Sequence, residues 1–504
     1  MLKIYQDWLA RTEAYPELHA ELEQIKGNEK EIEDRFYREL AFGTGGLRGV
    51  LGAGTNRMNV FTVGRATFGL AAYIHSVAKD GSVVIAYDSR NMSKEFASLA
   101  AEIMSARGVR AYLFSELMPT PVLSYAVRHL KATAGIVITA SHNPKEYNGY
   151  KVYNEHGCQI TDEAAKRITE YIQKADYFEH FTPNKALIQM LGDEVLASFI
   201  NDISSLSLYD GCAKHAPTVV YTPLNGTGNK PVRRVLDRIG VRNVAVVPEQ
   251  EQPNGNFPTC PYPNPEERVT LTLATDLAAK TGAELVLATD PDADRVGIAV
   301  REKNGEYRLL NGNETGVLLE NYILTRKKEA GTLPARPVVV KTIVTSDMAT
   351  DIAAAYGAEV KEVLTGFKYI GETIDRLDDP ARYVFGLEES YGYLCGTHAR
   401  DKDAVSACMM IAEMAAYYRA QGKLLTEVLE ELFKTYGYYA AGLVSKSYPG
   451  KTGKEQMNAL LASLRKAPWT EICGKKVNVY KDYSAGIDGL PASDVLSFSG
   501  DGFK

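Results

Sequence analysis

Three aspartates, Asp290, Asp292 and Asp294, alternate along "TDPDADR" directly after the apolar run "ELVLA". Carboxylates this close repel one another unless a cation neutralises them, and carboxylate oxygens are what a hard ion such as Mg²⁺ selects. A calcium EF-hand also begins D-x-D-x-D, but Arg295 stands where its sixth residue must be Gly and Arg301 where its twelfth must be Glu. A phosphatase motif of the form D-x-D-x-[TV] fails at its fifth position, Asp294. Arg295, immediately after the acids, offsets their charge and can hold an anionic oxygen with two donors.

A second polar run ends another apolar strand pattern. In "GIVITASHNPKEYNGYKVY" (135–153), "GIVIT" leads into Ala-Ser-His-Asn-Pro around Ser141. Thr139 and Asn143 stand where the glycines of a G-x-S-x-G nucleophile elbow would be, which argues against an α/β-hydrolase. A serine turn or helix cap ahead of Asn143-Pro144 also fits this stretch on its own. A third run, "GLEESYGY", places Glu388, Glu389 and Ser390 after "RYVF", a group of acceptors and a hydroxyl suited to sugar hydroxyls. Two further loops look built for binding: "GTGGLRG" around Arg48, with glycines that free backbone N–H groups, and "TGFK" at Thr365, Gly366, Phe367 and Lys368. Neither is a Walker A loop, and "YPGKTGK" has Ser445 where the first glycine belongs.

These runs need strands to carry them. Strand-like "VVIAYDSR" from Val83, "VVYTPLNGTG" from Val219 and "VVVKTIVTS" from Val338 each open a similar unit. A helical pattern follows in each (94–107, 229–240 and 347–356), then a second strand near 110, 242 and 358, and then a later strand from Ala134, Ala283 or Arg382 that ends in the polar residues above. The pattern predicts three related α/β units. Ligands in open α/β sheets gather outside the carboxyl ends of strands, so three such ends would supply three parts of one site.

The 504 residues are enough for two to four domains, and 45% hydrophobic with 24% charged residues is ordinary globular composition. A formal net charge of -6 gives no basic footprint for nucleic acid or an acidic membrane. Six scattered cysteines without a C-x-x-C pair read as reduced thiols in a cytoplasmic protein. The N-terminal 26 residues read as a charged amphipathic helix, and no apolar run reaches the roughly 20 residues of a membrane span.

Together, "FGTGGLRG", "TASHNP", "TDPDADR" and "GLEESYGY", in this order and spacing, resemble the α-D-phosphohexomutase superfamily, from about residue 35 to about residue 495. The resemblance implies three α/β domains with mixed sheets and a smaller α+β fourth domain around a central cleft, with boundaries at 1–205, 206–325, 326–440 and 441–504. It implies that Ser141 carries a phosphoryl group and that Asp290, Asp292 and Asp294 hold Mg²⁺ together with an oxygen on Ser141. It assigns His142, Lys151, Arg48 and Lys402 to catalysis, with Lys402 in "ARDKDA" as an acid/base. Thr365, Gly366, Phe367, Lys368, Glu388, Ser390 and Arg295 would then bind substrate. The implied reaction interconverts glucose 1-phosphate and glucose 6-phosphate through a phosphoserine enzyme and glucose 1,6-bisphosphate. Pentose and mannose phosphates are alternative substrates, and a sugar-phosphate-binding protein with impaired catalysis is a further alternative. The expected partner is a small sugar phosphate, bound by a monomer or dimer. The family's phosphate-gripping loop of the fourth domain is expected beyond "LPASDVLSFSGDGFK", so a truncated fourth domain and slow turnover are expected.

Overall fold

In the computed structural model, residues 1–43, 45–446, 448 and 450–504 are described, without the side chains of 450–452 and 454. The chain forms two compact units, one of residues 1–361 and 366–439 and one of residues 362–365 and 440–504.

Three sheets of four to six strands are described, and all their residues except Glu362 and Val363 belong to the larger unit. The first contains β1 (Leu47–Val50), β2 (Ser82–Tyr87), β3 (Arg110–Phe114), β4 (Ala134–Ile138), β5 (Tyr147–Asn154) and β6 (Ile188–Leu191), in the order β1-β5-β4-β2-β3-β6. The second contains β7 (Val219–Thr222), β8 (Val244–Val246), β9 (Leu285–Thr289), β10 (Val296–Arg301) and β11 (Tyr307–Leu310), in the order β11-β10-β9-β7-β8. The third contains β12 (Val338–Thr342), β13 (Glu359–Val363), β14 (Tyr383–Glu388) and β15 (Gly392–Leu394), in the order β13-β12-β14-β15. The same winding therefore occurs three times, as β5-β4-β2-β3, β10-β9-β7-β8 and β15-β14-β12-β13. The opening strand pairs in parallel with the later strand in each (β2 with β4, β7 with β9, β12 with β14), and the strand after it returns antiparallel. The sheets are mixed, and the three predicted units are present.

The central strands β4, β7, β9, β12 and β14 are buried along their whole length, as continuous apolar runs covered on both faces require. Helix Ala404–Ala420 is buried on nearly all sides and packs against β9, β10 and helix Asn229–Arg238 of the second sheet as well as β15 of its own. A helix apolar all round belongs inside, and this one ties the second sheet to the third. At the N-terminus two short helices, Leu2–Arg11 and Pro16–Gln24, replace the single amphipathic helix that the sequence suggested, and a third, Glu29–Phe36, follows. The chain turns at residues 13–15 and restarts at Pro16, which suits a first helical position. Trp8 anchors this cluster, edge-on to Phe36 and Phe61.

The smaller unit has helix Gly450–Lys466 and two antiparallel pairs, β16 (Glu471–Ile472) with β17 (Lys475–Lys476) and β18 (Val479–Asp482) with β19 (Leu496–Ser499). Trp469 and Tyr480 pack on Phe498, and Arg465 bridges Asp482 and Asp494. All six cysteines are free thiols, five of them buried. Among the described residues no helix is long and apolar enough to cross a membrane.

Candidate active site

The strands β4, β9 and β14 end at a common place. Ser141, just past β4, is buried and adopts the left-handed backbone conformation, φ 52°. Its Oγ donates to Asp290 Oδ2 at 2.6 Å and lies 3.1 Å from His142 Nδ1. His142 meets Tyr262 edge-on, and burial together with the charges of Arg295 and Arg48 pushes its imidazole pKa down to about 2, so the ring is neutral.

Asp290, Asp292 and Asp294 turn tightly after β9, with Ala293 also left-handed at φ 50°. Asp290 Oδ1 accepts the backbone N–H groups of Asp294 and Arg295 at 3.1 and 3.0 Å, which folds the loop around its own first carboxylate. One oxygen from each acid lies within 4.8 Å of the other two. Asp292 Oδ1 and Asp294 Oδ1 are buried with no hydrogen-bond partner. Burial and the two neighbouring acids drive the Asp290 carboxyl well above its ordinary range. Burial also opposes the Asp292 charge, but Lys151 beside it, at 2.8 Å, holds that carboxyl below the usual range. Buried acceptors left open beside a carboxyl that resists ionisation are what a bound hard cation would complete, so the donor set fits Mg²⁺.

Lys151 projects from the middle of β5, where Val137 is its partner in β4, and its Nζ reaches Asp292 Oδ2 and, at 3.4 Å, Asp294 Oδ2. Two residues along the same face, Tyr153 donates to Asp401 Oδ2 at 2.7 Å. Asp401 takes a further bond from Gln159 Nε2 at 2.7 Å and from the Lys402 backbone N–H at 2.8 Å. Lys402 Nζ lies 3.2 Å from Asp294 and 3.4 Å from Asp401. Burial disfavours the charge on each lysine, yet the facing carboxylates outweigh it and raise both ammonium groups above their ordinary range. A Cβ on Gly392 would fall 2.1 Å from Lys402 Cδ and displace that side chain.

Glu388, the last residue of β14, is buried and accepts the Gly366 N–H at 2.7 Å, which joins "GLEES" to the Gly366–Lys368 segment. Phe367 is buried, its ring centre 5.8 Å from Lys402 Nζ, and Lys368 lies 3.5 Å from Asp162. Thr365 falls in the smaller unit and is exposed. Glu389 turns inward to Thr342 and Thr345, while Ser390 is half-buried. Tyr391 O accepts the Val296 N–H at 3.1 Å, so the third sheet is stitched to the strand after the aspartates. Arg295 is paired with Glu266, its Nε lies 3.9 Å from Asp294 Oδ1, and the charge of Glu388 also acts on it. Arg48, exposed on β1 opposite Gly149, is close enough for its charge to act on His142 and Arg90.

Three supporting groups were not apparent from the sequence. Thr120 Oγ1 donates to Asp292 Oδ2 at 2.8 Å and Thr120 N–H to Asp292 O at 2.9 Å, a long-range contact with no local signal. Asp401 sits beside a residue already singled out. Asp88 and Arg90 follow the end of β2, the same place after a buried strand that the other polar loops occupy.

Family models for phosphoglucomutase/phosphomannomutase alpha/beta/alpha domains I, II and III match residues 39–179, 197–305 and 311–436. A phosphoglucomutase of Staphylococcus saprophyticus is 37% identical over 469 residues, 91% of this chain and 84% of that protein. The chain belongs to the phosphoglucomutase/phosphomannomutase family. Another member, a phosphoglucomutase of Staphylococcus haemolyticus, is 38% identical over 90% of this chain and 82% of its own length. Solved structures share the fold: a putative phosphomannomutase from Thermus thermophilus, TM-score 0.68 at 24% identity over 79% of this chain and 84% of that one, and parafusin from Paramecium, TM-score 0.67 at 17% identity over 92% and 85%. Within this phosphoglucomutase/phosphomannomutase chain, Ser141 lies in domain I, the three aspartates in domain II, and Glu388 and Lys402 in domain III.

Proposed function

We propose that this protein is a phosphoglucomutase that interconverts glucose 1-phosphate and glucose 6-phosphate. The observation that carries the reading is Ser141 Oγ held 2.6 Å from a buried three-carboxylate cluster with open oxygens, in a chain closely related to named phosphoglucomutases. Mg²⁺ held by Asp290, Asp292, Asp294 and an oxygen on Ser141 would supply charge neutralisation for the transferring group.

Ser141 serves as the phosphate carrier, giving its phosphoryl group to the free sugar hydroxyl to form glucose 1,6-bisphosphate and then being rephosphorylated by the group on the other position, which frees that hydroxyl. Lys151 and Lys402 hold positive charge beside the reacting oxygens, with Lys402 also the candidate to move the hydroxyl proton. His142 and Arg48 flank the serine, while Glu388, Ser390, Arg295 and residues 365–368 receive the sugar phosphate. The domains run 1–205, 206–325, 326–440 and from 441 onward, and the protein acts in the cytoplasm as a monomer or dimer.

Incubation with labelled glucose 1,6-bisphosphate should place one acid-stable phosphate on Ser141, read by intact mass and peptide mapping. Rates with glucose, mannose, ribose and deoxyribose 1-phosphates should favour glucose 1-phosphate. An unlabelled serine, or a pentose preferred by a large factor, would refute the corresponding part.

A further inference from the structure

The serine loop is held from behind by a buried pair at the end of β2. Arg90 Nη2 donates to Ser141 O at 2.5 Å and also to Asn143 O, while Nη1 donates to Pro144 O at 2.8 Å and Tyr147 O at 3.1 Å. One guanidinium thus gathers four carbonyls of a single turn, a geometry that its planar fork suits and a lysine cannot copy. Asp88 works on the other side of the same residue. Its Oδ2 accepts Thr139 Oγ1–H at 2.6 Å, and Thr139 Oγ1 in turn accepts the Ser141 N–H at 2.8 Å. Asp88 Oδ1 takes Ser93 Oγ–H at 2.7 Å and the Arg90 N–H at 2.9 Å, and Oδ2 stands 3.4 Å from Arg90 Nε. Both side chains are fully buried. Phe257, from the loop before β9, lies over the guanidinium at 5.1 Å, and a Cβ on Gly255 would fall 2.5 Å from the Asn91 N. The second domain therefore closes the back of the clamp.

A residue with a Cβ rarely stays in the left-handed region unless its surroundings dictate it. At Ser141 the peptide is tied on both sides, N–H through Thr139 to Asp88 and C=O to Arg90. We propose that Asp88 and Arg90 are positioning residues that fix the Ser141 backbone so that Oγ points at the three-aspartate cluster throughout turnover. This rests on Ser141 being the phosphate carrier. A loosened loop would still bind the sugar, whose contacts come from other loops, but would offer the reacting oxygen in the right direction only part of the time. The loss then falls on kcat, since small misplacements of a reacting group are expensive in rate.

The test uses the full chain with saturating Mg²⁺ and glucose 1,6-bisphosphate. Arg90→Ala should lower kcat about 100-fold with KM for glucose 1-phosphate within about twofold, and millimolar guanidinium ion should recover part of that loss where ammonium does not. Thr139→Val, which removes the hydroxyl that links Asp88 to the Ser141 N–H and leaves Arg90 in place, should lower kcat about tenfold in the same KM-neutral way, and it carries the test alone if Arg90→Ala does not fold. Ser141→Ala run beside them separates the two ideas, because turnover there brings down the carrier reading by itself. With Ser141→Ala inactive, wild-type kcat in the folded variants, or a KM rise that accounts for the whole loss, overturns the clamp.

Discussion

The serine loop and the aspartate loop leave equivalent strands, β4 and β9, of two sheets wound the same way, yet they are finished differently. Around Ser141 the backbone is bonded on both sides and the hydroxyl already has Asp290 as acceptor. Around the aspartates two carboxylate oxygens are buried and unbonded. One loop is a fixed tool and the other a receptacle whose stability depends on what it receives. A closed network gains little from a ligand, whereas buried acceptors without partners carry a desolvation cost that a cation removes.

That contrast is most directly broken at the serine. Ser141→Ala should lower turnover by about four orders of magnitude or more while circular dichroism and thermal midpoint stay near wild type, since the change removes one hydroxyl and leaves the backbone clamp. Asp292→Asn should cost about 10²–10³-fold in kcat, and Mg²⁺ should raise the thermal midpoint of the wild type but not of this variant. An Mg²⁺ response retained in full would show that the ion sits elsewhere. Lys151→Met leaves the buried Asp292 facing no ammonium and Asp294 only that of Lys402, and should destabilise the metal-free protein by about 3–5 kcal/mol in denaturant titrations, a loss that excess Mg²⁺ partly restores.

The smallest effect concerns a buried acid that no cation site explains. Glu320, on helix Gly312–Glu329, has both carboxylate oxygens buried without a hydrogen-bond partner, and burial raises its pKa well above 4.5, with Lys341 only partly opposing. The folded protein therefore keeps a proton that the unfolded chain releases. Its contribution is fully present below about pH 4.5 and is lost as pH rises through the folded value. Glu320→Gln should flatten that decline in midpoint against pH, and an unchanged slope would contradict the assignment.

Much of this was legible because strands covered on both faces leave continuous apolar runs and then stop at polar residues. "GIVIT" and "ELVLA" showed where β4 and β9 end, and the alternating aspartates declared their own repulsion. What lay hidden depends on distant partners. Nothing near Thr120 in sequence reveals Asp292, and the inward turn of Glu389 toward Thr342 is set by packing at the base of the third sheet. Arg90 is hidden for a different reason: it binds carbonyls, which every residue has, so no complementary side-chain pattern marks it.

Strand β5 has a mechanical consequence. On one face Lys151 engages acids of the second sheet and Tyr153 engages Asp401 from beyond the third. Pulling any one sheet from the others strands a buried charge or phenol, so partial opening is penalised in the same way whichever sheet leaves. Unfolding of the larger unit is thereby coupled through a single strand, and hydrogen exchange at the β5 amides would measure how strongly the three sheets stand or fall together.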